Sequence, residues 1–97
     1  MKIATDNIVT IKSEKKNQGE TSYTYELRSF EGHSVASFGI ILYEISVEMN
    51  CNGEISFYRT GGLFSDREKA IKFFNMISNR LATPRNMPYI IEDAFSF

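Results

Sequence analysis

Tyr43-Glu44-Ile45-Ser46-Val47-Glu48-Met49-Asn50-Cys51-Asn52-Gly53-Glu54-Ile55-Ser56-Phe57-Tyr58-Arg59 alternates apolar and polar side chains, breaks at Asn52-Gly53, then resumes its β-type composition. A period of two marks a strand with one buried face. Asn-Gly between two such runs marks a hairpin. The segment therefore predicts two antiparallel strands, at about 35–50 and about 54–60. Face matching chooses the loop. A two-residue loop pairs Cys51 with Glu54 and leaves Phe57 beside Glu48. A three-residue loop, Cys51-Asn52-Gly53, sets Met49 opposite Ile55 and Val47 opposite Phe57. Register follows the buried pattern, so the three-residue loop is expected. Gly53 then takes the left-handed conformation that costs a glycine least.

Upstream, Tyr23, Tyr25 and Leu27 alternate with Thr24, Glu26 and Arg28, which predicts a strand at about 22–30. Ile8, Val9 and Ile11 predict another at about 7–12. Ser13 to Glu20 carries no apolar residue and is expected to be a mobile loop. Downstream, Ser65-Asp66-Arg67-Glu68 has the form of a capping box, with Ser65 as the expected cap. Ala70, Ile71, Phe73, Phe74, Ile77 and Leu81 then share one arc of a helix at about 65–82. Thr83-Pro84 stops it. Asn86-Met87-Pro88 opens a second helix, at about 87–95, with Pro88 in the first turn where its missing amide costs little. The expected fold class is α+β: an antiparallel β-meander of three or four strands packed on two C-terminal helices. At 97 residues the chain is one domain, 1–97.

Composition excludes several chemistries. The net charge of −1 does not suit a polycation that holds nucleic acid by charge alone. The single cysteine, Cys51, allows no intrachain disulfide and no cysteine-based zinc site. The single histidine, His33, lies in a different turn, and nothing in the sequence brings the two together as a nucleophile and base. Glu44, Glu48 and Glu54 lie mostly on the wet face of the hairpin, where carboxylates keep ordinary acidity. Gly61-Gly62 precedes a helix, but the phosphate-loop spacing and lysine are missing and Asp66 stands where an anion would sit. No catalytic set, cofactor or metal is therefore expected. The longest near-apolar run, Phe38 to Tyr43, is far short of a membrane span. Together with the cysteine usage and an N-terminus unlike a secretory signal, this gives the expectation of a cytoplasmic protein.

Phe38-Gly39-Ile40, Ser65-Asp66-Arg67-Glu68-Lys69, Ser78-Asn79-Arg80-Leu81, Thr83-Pro84 and Ile90-Ile91-Glu92-Asp93-Ala94-Phe95 resemble a family of short, uncharacterised bacterial proteins, a domain of unknown function from anaerobic spore-forming Firmicutes. The resemblance covers about residues 38–97 and departs from the family at Met87-Pro88. Its shared residues form a cap, a helix end and apolar positions, so they imply a fold and carry no activity.

Two functions suit what remains. The first is a small non-enzymatic protein-interaction or regulatory module. Phe38, Ile40 and Leu42 make the second face of their strand apolar as well, and one helical layer covers only one face of a sheet. Phe95 and Phe97 could fold across this patch, the N-terminal strand could wrap over it, or another chain could dock. The candidate partner-binding residues are thus Phe38, Ile40, Leu42, Phe95 and Phe97, and the simplest partner is a second copy in a homodimer. The alternative is a nucleic-acid-associated regulator that uses Lys69, Lys72, Arg80 and Arg85 on the basic flank of the long helix.

Overall fold

The computed structural model describes residues 8–32 and 39–95. Four strands come first: β1 (Val9–Gln18), β2 (Thr21–Glu31), β3 (Ile41–Cys51) and β4 (Glu54–Arg59). Two helices follow, α1 (Arg67–Asn79) and α2 (Met87–Ala94). The sheet is antiparallel throughout, in the order β1-β2-β3-β4, so the expected meander and α+β class hold. The molecule measures 44 × 38 × 18 Å, and the short axis fits one sheet and one helical layer.

The core lies between those layers. Register sets Tyr23, Tyr25 and Leu27 opposite Met49, Val47 and Ile45 on one face. Against them α1 buries Ala70, Phe73, Phe74 and Ile77, and α2 buries Met87. The Tyr25 hydroxyl donates to the Ala82 carbonyl at 2.8 Å, which ties β2 to the linker between the helices. Burial and the neighbouring Tyr23 push the Tyr25 phenol up to about 12.

The polar stretch from Ser13 is no loop. It continues β1 as far as Gln18 and turns at Gly19-Glu20, with Gly19 at φ 62°. Lys12, Glu14 and Lys16 face the helical side, opposite Leu27, Tyr25 and Tyr23. Lys12 Nζ donates to Asn75 Oδ1 at 2.9 Å and lies 5.4 Å from the centre of the Phe74 ring. Lys16 Nζ reaches Asn79 Oδ1 at 3.5 Å. At Lys12 and Lys16 the strand needs no apolar pattern, because polar partners on α1 meet these side chains, while Glu14 Oε1 is buried between them with no hydrogen-bond partner among the described residues.

The β3–β4 turn also departs from expectation. It has two residues, Asn52 at φ 55° and Gly53 at φ 86°, and Cys51 pairs with Glu54. Both central residues are left-handed, as in a type I′ turn, whose twist matches that of the flanking strands. Asn50 Oδ1 accepts the Gly53 amide at 2.9 Å. This register turns Tyr58 to the core side and leaves Ile55 and Phe57 outside, 60% and 49% exposed. Turn chemistry wins here because α1 packs mainly on β2 and β3, so the helical layer offers β4 little to bury against.

The cap of α1 is Asp66, not Ser65. Its carboxylate accepts the amides of Glu68 at 2.9 Å and Lys69 at 3.3 Å. Ser65 sits one residue too early and is exposed. The helix ends at Asn79, short of the expected residue 82, because Leu81 adopts φ 54°. The Ala82 amide then donates to the Ile77 carbonyl and the Leu81 amide to the Ser78 carbonyl, a Schellman closure with leucine in the usual glycine position.

Candidate interaction surfaces

The face of the sheet away from the helices has no layer over it among the described residues. Its centre is polar. Arg28, Glu44 and Arg59 come from three adjacent strands. Arg28 Nη2 lies 3.2 Å and Arg59 Nε 2.6 Å from the same oxygen, Glu44 Oε2. Glu44 is only 5% exposed, so both guanidiniums are needed to offset its loss of water. Arg59 also lies over the Phe57 ring, 5.1 Å from its centre. Beside this triad the segment after β4 crosses the face. A Cβ on Gly62 would come within 2.9 Å of Leu42 and 3.1 Å of Phe30.

The candidate patch is therefore not one surface. Leu42 is half-buried against the Gly62 strap, while Ile40 is exposed. Phe95 lies on the helical side, its ring 5.5 Å from Phe64 and 6.5 Å from Phe73. Phe38 and Phe97 fall outside the described residues, as does His33. Besides Ile40, the apolar groups that stand open on the outer face include Ile55 and Phe57 of β4, which the expected register had turned inward.

β4 is also an edge strand. The Thr60 amide donates to the Ile45 carbonyl at 2.9 Å. Hydrogen-bonded pairs alternate along an antiparallel ladder, so Tyr58, Ser56 and Glu54 turn their backbone groups to β3. The N–H and C=O groups of Ile55, Phe57 and Arg59 point away from the sheet. The opposite edge is blunted by a bulge between Thr10 and Lys12 and by Lys12, Lys15 and Lys16, two familiar defences against strand pairing. β4 has neither.

Lys69 and Lys72 are exposed on one flank of α1, with Met76 between them and the helix end. Arg80 is the exposed C-cap residue, and Arg85 is exposed in the linker. At the start of α1 the Asp66 carboxylate already holds the amides an anion would need after Gly61-Gly62. Cys51 is half-buried and accepts a hydrogen bond from Thr21 Oγ1 at 3.4 Å. Among the described residues no three His, Cys, Asp or Glu side chains cluster to hold a metal, and no helix is long and apolar enough to cross a membrane.

The chain matches no family model, no curated protein and no solved structure.

Proposed function

We propose that the chain is a small non-enzymatic protein-interaction module that works by strand addition at β4, and that its simplest partner is a second copy of itself. The observation that carries this reading is the contrast between the two sheet edges: a lysine-rich, bulged β1 and a β4 that, among the described residues, has neither bulge nor lysine and carries exposed Ile55 and Phe57. The strand is self-complementary. With Phe57 on a two-fold axis, Phe57 exchanges backbone hydrogen bonds with its own copy, and Ile55 lies opposite Arg59 of the second copy. Ser56 then faces Tyr58, and no like charges oppose one another. The product is one continuous sheet with all helices on the same side. Main-chain bonds supply the pairing and the two aromatic rings supply apolar contact.

Light scattering over a concentration series tests this. The wild-type chain should approach a dimer at high micromolar concentration, and Phe57→Lys should stay monomeric with an unchanged circular dichroism spectrum. A wild type that remains monomeric, or a Phe57→Lys variant that dimerises as well as wild type, would overturn the proposal.

A further inference from the structure

A groove of about 600 Å³ opens on the helical side, between α1 and the end of α2. Its floor is a cluster of three rings. Phe64 lies 5.3 Å from Phe73 and 5.5 Å from Phe95, at interplanar angles of 47° and 53°. Met76 and Ala94 form the walls. Phe64 and Phe73 are buried, at 6% and 7% exposure, whereas Phe95 remains 39% exposed, so the apolar surface open to water in the groove is chiefly the Phe95 ring beside Met76 and Ala94. Volumes of this order are usual for small-molecule sites, which pair apolar linings with a few oriented polar groups.

Here the oriented groups are cations. Lys69 and Lys72 are the charged residues lining the groove, and neither joins an ion pair among the described residues. They are three apart on α1, so they stand on the same side of the helix, at the lip. Lysine presents a compact charge on a long apolar stem, which suits a position between hydrocarbon and water. From this pairing of an apolar trough with two unpaired lysines, we infer that the groove binds a free single-chain amphiphile with an anionic head, a fatty carboxylate being the simplest. The chain lies over Phe64, Phe73 and Phe95, and the carboxylate sits between Lys69 and Lys72. The site is on the opposite side of the sheet from the outer face and is independent of pairing at β4.

Calorimetry with dodecanoate, below the concentration at which it forms micelles, tests the inference on the intact chain. Saturable binding at one site is expected. The double variant Lys69→Gln, Lys72→Gln should weaken dodecanoate by roughly two- to thirty-fold, the range for two exposed charge pairs. It should leave dodecanol unchanged, because the alcohol uses the trough alone. Ala94→Trp, a substitution at an exposed wall position, should fill the trough and abolish both. In the wild type, dodecanoate should shift the NMR signals of Met76 and Phe95 first. Four outcomes would each overturn the inference: no saturable binding, equal binding of a dodecyl chain with a quaternary ammonium head, undiminished binding by a folded Ala94→Trp variant, and binding to anionic vesicles without binding to free dodecanoate.

Discussion

Replacing Tyr25 by phenylalanine removes a single oxygen from the centre of the core, and the structure sets what that should cost. Tyr25 is fully buried, and its hydroxyl donates to the Ala82 carbonyl at 2.8 Å, where Ala82 itself is 2% exposed. Without the hydroxyl this carbonyl loses its partner in a place that water reaches poorly. A buried acceptor left unpaired costs about 1–3 kcal/mol. The ring stays in place, so no cavity term of consequence adds to it. The pH dependence supplies a second test. Burial raises the phenol from 10.0 to about 12, so the folded state holds the proton more tightly than the unfolded chain. The stability this proton provides is fully present below pH 10 and is lost as the pH rises towards 12. Two pH units correspond to roughly 3 kcal/mol. Urea unfolding at neutral pH should therefore show Tyr25→Phe about 1–3 kcal/mol less stable than wild type. Between pH 10 and 12 the wild type should lose stability faster than the variant, so that the gap closes. A variant as stable as wild type at neutral pH, or a gap that stays constant through alkaline pH, would refute the buried hydrogen bond.

Other substitutions test single features. Asp66→Ala should cost about 0.5–2 kcal/mol in chemical unfolding because it frees two helix amides, whereas Ser65→Ala should change stability by less than about 0.5 kcal/mol. Gly53→Ala should destabilise by about 1 kcal/mol, since φ 86° is a left-handed conformation, and thermal melting would detect it. Glu44→Gln removes the buried counter-charge of Arg28, whose side chain is 21% exposed, and of Arg59, which is 52% exposed and can turn to water. The loss should be about 1–3 kcal/mol, with double-mutant cycles showing stronger coupling to Arg28→Met than to the more exposed Arg59→Met.

The central strands were legible because their burial and their sequence agree. Tyr23, Tyr25, Leu27, Ile45 and Val47 alternate with polar residues, and the helices cover that one face. α1 was legible for the same reason: Ala70, Phe73, Phe74 and Ile77 recur at helical spacing and point at the sheet. The edges were harder. Residues 13–18 continue the strand by pairing with β2, with Lys12 just before them reaching Asn75 and Lys16 within them reaching Asn79, more than sixty positions away in the chain, and no local pattern announces such a partnership. At the other edge, face matching assumed that β4 shares the core. The Asn52-Gly53 turn instead set the register, and Ile55 and Phe57 were left outside. Both candidate surfaces depend on contacts between distant elements. The groove needs Phe95 beside Phe64 and Phe73, and the open β4 edge needs its place in the strand order. The Asp66 cap was open to reading from the sequence, because Ser65 and Asp66 are both good cap residues and the helix had only to begin one position later.

Amide hydrogen exchange in β4, followed by NMR at low and at high protein concentration, tests the proposed strand pairing most directly. Ser56 and Tyr58 turn their amides to β3 and should be protected at both concentrations. Ile55, Phe57 and Arg59 should exchange freely in the dilute protein and become protected together as concentration rises. If those three amides exchange at the free rate at every concentration, β4 is not where this chain meets its own copy.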